Sequence, residues 1–335
     1  MASPVQLIIR NTIFPVLVHS GLHRLIWPTD DSILVLMYHG VNRTGYTTYN
    51  GRHISAARFE KHLKYLKANF EILSLKDAYD QVGSIPSGKP RVAVTFDDGF
   101  ENNLNYASPL LQKYEVPATV FVSSICVSEE DNILWADVID IALKDVNSVT
   151  VIGYEFKRTL AGMFNEKLGM TLQEFVKSRD RDERDAIISE ISHQFDLESL
   201  KTQIDTEFWK LMNSAQVKAL SENPLIEIGS HCHNHYNLAS LSEQNAKHEL
   251  QHSKELLENC IGRTVECIAY PDGSYNSDVK KWTYEAGYKR LCAVSFKLSE
   301  DESDPRILKR SAVSSTTTNY SNIIHFHKHF RLHGN

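Results

Sequence analysis

Residues 92–99 read VAVTFDDG. An apolar, β-branched run goes straight into two neighbouring carboxylates, Asp97 and Asp98, and then meets Gly99. The run describes a buried strand that ends in a turn. Two adjacent acids in a partly buried place repel one another, so one takes a proton or a cation settles between them. The stretch thus sets a strand and a chemical question side by side.

Working outward, the same pattern recurs. SILVLMYHGV (32–41) is a continuous apolar run that ends at Tyr38, His39 and Gly40, and ATVFVSS (118–124), LIEIGSH (225–231) and VECIAYPDG (265–273) also read as strands. Between them lie helical periods. In 55–70, Phe59, Leu63 and Leu66 share a face with Ser55 as N-cap; residues 105–114 read as a second helix. A third runs over 240–262, with a Ser240–Glu243 capping box and Gly262 near its end. Strand, helix, strand in this rhythm predicts βαβ units, an α/β class and a largely parallel sheet.

Two stretches stand apart. Residues 128–222 are rich in charge, include KSRDRDERD (177–185), and show helical periodicity without strand signals, which predicts a helical insertion. Residues 1–31 form an apolar N-terminal segment broken by Arg10, Pro15, His19, His23 and Arg24, too interrupted to span a bilayer. A packed helix is the expectation, with peripheral membrane contact as its alternative. With no clean targeting pattern, the chain reads as cytoplasmic, or membrane-associated if that alternative holds.

The chain has 335 residues and a net charge of −6, which argues against a broad nucleic-acid surface. Its five cysteines are scattered with no C-x-x-C pair, which fits a reducing compartment and no disulfide framework. GSIPSGKP (83–90) matches the start of a phosphate-binding loop, but Pro90 replaces the needed Ser or Thr and a strand follows, so it reads as a turn.

After the strand ending at Ser230 come His231, His233 and His235. At i and i+4, His231 and His235 can face one metal, and an aspartate beside them gives two nitrogens and one oxygen with positions left open. That set does not separate zinc from ferrous iron, and a surface histidine cluster without a ligand is the competing reading. A second carboxylate beside a metal-held water would serve as general base, favouring hydrolysis. The histidines of the terminal HFHKHFRLH (325–333) lack a carboxylate near in sequence and read as solvated.

TFDDG, then H-x-x-x-H after IGS, then AYPDG resemble in order the first three motifs of the polysaccharide deacetylases (carbohydrate esterase family 4). LMYHGV and RFEKHLKYLKANFEILSL resemble the branch that deacetylates surface polysaccharides, and the likeness covers about 32–125 and 222–315. The resemblance implies a distorted (β/α) barrel with fewer than eight strands over 32–335, with its site at the C-terminal strand ends. It implies Asp97 as base, one zinc per chain on Asp98, His231 and His235, and zinc-bound water as nucleophile. It also implies an oxyanion contact from the Asp272 amide and His39 as general acid. Many members carry an Arg in the third motif where this chain has Ala269, and Arg310 in the late run LKRSAV is the expected substitute. Tyr270 is expected on the cavity wall. A satisfied strand-end imidazole for His39, and a surface ion pair for Arg310, remain the rival readings. The implied reaction is removal of N-acetyl groups from an amino sugar, glycan or lipid-linked sugar. Deformylation, O-acetyl ester hydrolysis, an inactive glycan-binding relative and a phosphohydrolase are the alternatives.

Overall fold

The computed structural model describes residues 6, 8–26, 32–45, 50–84, 88–128, 133–160 and 162–328. Seven parallel strands close into a barrel: β1 (Ile33–Tyr38), β2 (Arg91–Phe96), β3 (Ala118–Val122), β4 (Ile226–Ser230), β5 (Cys267–Ala269), β6 (Arg290–Ala293) and β7 (Ile307–Ala312). Each pairs with its neighbour in sequence, and β7 returns to β1. A short strand, Glu71–Leu73, pairs with the first half of β2.

The strands are apolar on both faces because both are covered. Leu34 and Leu36, Val92, Val94 and Phe96, Val120 and Val122 belong to a large cluster shared with the surrounding helices. The alternate residues Val35, Ala93, Phe121, Cys267, Ala269 and Cys292 form a separate cluster. Period-two alternation assigns the second set to the barrel interior, where small side chains suit a narrow bore. Cys267 and Cys292 are therefore packing residues, and all five cysteines are free thiols.

The helical expectations hold in outline. Ser55 caps Ala56–Asn69 by accepting from the Arg58 amide at 3.3 Å. Gly262 ends Glu243–Ile261 in the left-handed region at φ 69°. The start of that helix differs from expectation: Ser242 is the N-cap, while Leu238–Ser240 forms a separate 3₁₀ turn.

The insertion is not purely helical. Helices Trp135–Ala142, Leu172–Lys177, Arg181–Gln194 and Leu197–Gln203 pack with a four-stranded antiparallel meander, Ser148–Val151, Tyr154–Thr159, Gly162–Asn165 and Met170–Thr171. Val149, Val151 and Phe156 alternate into its core, and Ile152–Gly153 turns the first hairpin with both φ positive. The insertion has its own hydrophobic cluster, from Trp135 to Trp209. Helix Ser214–Ser221 belongs elsewhere: its Val217 and Leu220 join the barrel cluster.

Residues 9–26 form three short helical pieces against the C-terminal helix Asn319–Lys328. No helix of the described residues is long and apolar enough to cross a membrane. His329, His333 and part of the GSIPSGKP stretch lie outside the described residues.

Candidate active site

β2 delivers Asp97 and Asp98 to the C-terminal mouth of the barrel, as the VAVTFDDG stretch predicts. Asp98 and Gly99 take left-handed backbone at φ 76° and 87°, and a Cβ on Gly99 would press on Val122 Cγ1 at 3.1 Å. Only a turn of this kind reverses the chain fast enough to leave both carboxylates in the bore. The turn is pinned from the far side of the insertion: the Glu101 amide donates to Lys210 O at 2.9 Å and the Met212 amide to Gly99 O at 3.0 Å.

Asp97 lies in the grip of Arg310. Nη1 and Nη2 donate to its two oxygens at 2.5 and 2.8 Å, and both side chains are almost wholly buried. Arg310 also donates to Thr95 Oγ1 at 3.3 Å and stands over the Phe121 ring at 5.2 Å. The guanidinium is therefore inside the barrel and not at the surface, which settles the rival reading of Arg310. Burial pushes the Asp97 carboxyl up, but Arg310 and His231 outweigh it and hold the carboxyl below its usual range.

His231 and His235 converge on Asp98. Their Nε2 atoms lie 3.6 and 3.4 Å from Asp98 Oδ1, and the three groups form a ligand set whose donor atoms all lie within 4.8 Å of one another. The His231 Nδ1–H donates to the Ala269 carbonyl at 2.8 Å, which directs the Nε2 lone pair toward Asp98. The position where other members carry an Arg thus serves here through its backbone. Asp98 Oδ1 is buried with no hydrogen-bond donor aligned to it. A carboxylate oxygen left open beside two imidazole nitrogens suits a divalent cation, and the residues present fit one.

The other Asp98 oxygen accepts from Arg52 at 3.3 Å, and Arg52 also binds Asp137 of the insertion. Burial is opposed by the His235 contact and by the charges of His39 and Arg52, leaving the Asp98 carboxyl well below the ordinary range. Burial pulls the His231 imidazole down to about 4.

The loop that carries the histidines is itself strained, with Cys232 at φ 61° and His235 at φ 55°. Buried Glu249 clamps it, accepting from the His233 and Asn234 amides at 3.0 and 2.8 Å and from Asn234 Nδ2 at 2.8 Å. Trp135 Nε1 donates to His235 O at 3.1 Å, so the insertion braces the loop that carries both histidines directly.

These groups floor a cavity of about 490 Å³, within the range of small-molecule sites. His39 lies on its wall beside Arg52; burial lowers its pKa against the upward pull of Asp98 and Asp97. Asp272 lies at the rim at φ 57°. The hydrogen bonds of its turn use the Gly273 and Ser274 amides and not its own. Its carboxylate is held by Lys177 Nζ at 2.5 Å. Tyr270 borders the cavity, but its hydroxyl donates to Thr283 Oγ1 at 3.1 Å and its ring stacks on Tyr275, so it offers a ring edge and no polar contact.

The insertion adds Trp135, Asp140, Gln173 and Lys177 to the lining. Sequence reasoning missed these, together with Arg52 and Glu249. None sits at a strand end, and only the return of the chain over the barrel brings them to the site.

Fold and ligand set together define an α/β-barrel protein with a candidate metal centre at the C-terminal end of its strands. The chain belongs to the polysaccharide deacetylase family, whose profile matches residues 84–174 and 197–291. It is 23% identical over 258 residues to YxkH of Bacillus subtilis, covering 76% of this chain and 62% of that one. It is 31% identical over 116 residues to a poly-beta-1,6-N-acetyl-D-glucosamine N-deacetylase of Staphylococcus aureus, covering 30% of this chain and 39% of that one. The chain thus spans less than two thirds of these relatives. Among solved structures, IcaB from Ammonifex degensii superposes with a TM-score of 0.55 at 16% identity, over 90% of this chain and 98% of that one. That likeness shows the fold.

Proposed function

We propose that this chain is a metal-dependent hydrolase that removes N-acetyl groups from an amino sugar within a glycan. The observation that carries the reading is the pairing of a buried carboxylate, fixed by both arms of Arg310, with the Asp98–His231–His235 set beside it. Membership of the deacetylase family supports the reaction class. The substrate is inferred from the relative that is named for N-acetylglucosamine polymer.

Asp98, His231 and His235 would hold the metal, for which zinc suits the two-nitrogen, one-oxygen donor set. When bound, such an ion supplies a Lewis acid that polarises the acyl carbonyl and lowers the pKa of water. Asp97 is the general base: held ionised by Arg310, it accepts the proton of the attacking water. The Asp272 amide donates to the oxygen that gains charge as the carbonyl carbon becomes tetrahedral. His39, on the cavity wall, delivers a proton to the departing nitrogen, so that acetate and a free amine leave. Asp140, Gln173 and Lys177 line the outer cavity, where sugar hydroxyls would lie.

The test is acetate release from a panel of N-acetylated glucosamine oligomers by wild type and Asp97→Asn, with metal content measured on both. Release by wild type, and its loss with metal retained in Asp97→Asn, supports the assignment. Turnover by the Asn variant would sink Asp97 as base.

A further inference from the structure

The N-terminal helical pieces raise a separate question, independent of the chemistry above. Nine large apolar side chains stand exposed among the described residues, and five of them, Ile8, Ile13, Val16, Leu22 and Leu25, fall within residues 8–25. Ile8 is 60%, Val16 61% and Leu25 79% exposed. Scattered singly, such residues need no explanation, but a run of them on one short segment marks an interaction surface.

The charge around this face is one-sided. Residues 1–29 contain no Asp or Glu, and neither do residues 305–335, which include the helix packed beneath, although the chain as a whole carries −6. Arg10, Asn11 and Pro15 of this same segment line a cavity of about 450 Å³ together with Arg58 and Lys61. None of the three has a carboxylate partner among the described residues, and Arg10 Nε is buried without a hydrogen-bond partner. Arg58 spends one donor on Ser315 O at 2.7 Å. Ser315 in turn bonds to Gly51, which borders the catalytic cavity.

We propose that this face docks on an anionic lipid bilayer, with the apolar side chains in the acyl boundary and a lipid headgroup phosphate in the Arg10–Arg58–Lys61 cavity. Apolar area and basic charge on one face are what a surface-lying segment needs, and no described helix is long enough to span. Each Lys or Arg near an anionic surface strengthens binding about fivefold. The two neighbouring contacts place the docked face close to the rim of the catalytic cavity.

The test is co-sedimentation of the full chain with phosphatidylcholine vesicles, with and without phosphatidylglycerol. Binding to the anionic vesicles is expected, lowered about tenfold or more by Val16→Glu with Leu25→Glu and about 25-fold by Arg10→Ala with Lys61→Ala. Acetate release from a soluble oligomer, read on the same three proteins, should stay unchanged. This separates failure of docking from failure of the proposed chemistry. Equal binding to neutral and anionic vesicles, or binding untouched by both double variants, would overturn the proposal. So would competition by inorganic phosphate, which would assign the basic cavity to a free anion. A wild-type dimer that Leu25→Glu dissociates, with no vesicle binding, would assign the face to a second copy.

Discussion

Arg310→Met offers the sharpest test of the catalytic reading. The substitution removes both donors from Asp97 and leaves a buried carboxylate with only His231 Nε2, 4.0 Å away, in place of the guanidinium. Breaking a buried pair by removing one partner costs about 3–5 kcal/mol of stability, because the remaining charge is left uncompensated. The same loss moves the Asp97 pKa upward, since Arg310 is the largest influence holding it down. Each unit of that rise corresponds to about 1.4 kcal/mol. Activity that needs ionised Asp97 should therefore show its acid limb at higher pH in the variant. At the plateau, the free-swinging carboxylate should lower kcat/KM about 100-fold or more, the scale of a lost preorganised contact. Arg310→Lys should recover part of the pH shift, since it restores charge, but little of the plateau, since it lacks the two-armed fork. The assay is acetate release across a pH series, with thermal unfolding of each variant recorded alongside. A folded Arg310→Met protein with an unmoved acid limb would show that Arg310 packs the barrel and does nothing to Asp97.

Three further outcomes are expected. Wild type should bind about one divalent metal per chain and gain thermal stability from it, while His235→Ala should lose both; equal metal content by elemental analysis would remove His235 from the ligand set. Lys177→Met should leave stability within about 1 kcal/mol, because the pair with Asp272 is partly exposed, yet raise KM several-fold by loosening the turn that carries the Asp272 amide. Separate kcat and KM values check this, and unchanged values refute it. Buried His62 bonds through Nδ1 to the Tyr38 hydroxyl and has its pKa pulled down to about 3 by burial. The unfolded chain protonates it near pH 6.5. Its contribution is therefore complete above pH 6.5 and is lost as pH falls toward 3, at about 1.4 kcal/mol per unit. His62→Gln should flatten the fall of melting temperature between pH 6.5 and 4; parallel curves would refute it.

The core of the site was legible because its residues announce themselves locally. Asp97, Asp98 and His231 each follow an apolar run directly, and a residue just past a buried strand has only the barrel mouth to occupy. His235 was found by spacing, although a strained loop and not a regular helical turn brings it back to His231. Arg310 is different: its role depends on β7 closing against β1, a pairing no short window contains. The wall residues Trp135, Asp140 and Lys177 were hidden for the same reason. The meander was missed for a local one. The dense charges of 177–185 dominated the reading of the insertion, while the alternation of Val149, Val151 and Phe156 around Ile152–Gly153 was there to be seen. Tyr270 borders the cavity as expected, while the partner of its hydroxyl, Thr283, lies on a helix that no short window joins to the motif.

The insertion leaves the barrel after β3, where the Ser123 amide donates to Asp98 O at 3.2 Å, and returns at Met212, whose amide donates to Gly99 O at 3.0 Å. Its exit and re-entry points are therefore pinned to adjacent residues of one turn, Asp98 and Gly99. A segment tethered at such close ends, with a hydrophobic centre of its own, can lengthen, shrink or be exchanged with little entropic penalty, since doubling a loop costs only about 0.6 kcal/mol. The barrel then acts as a socket. On the proposed reading, one floor serves many sugars through grafted caps, and a chimera carrying another member's cap on this barrel is a direct route to a new substrate.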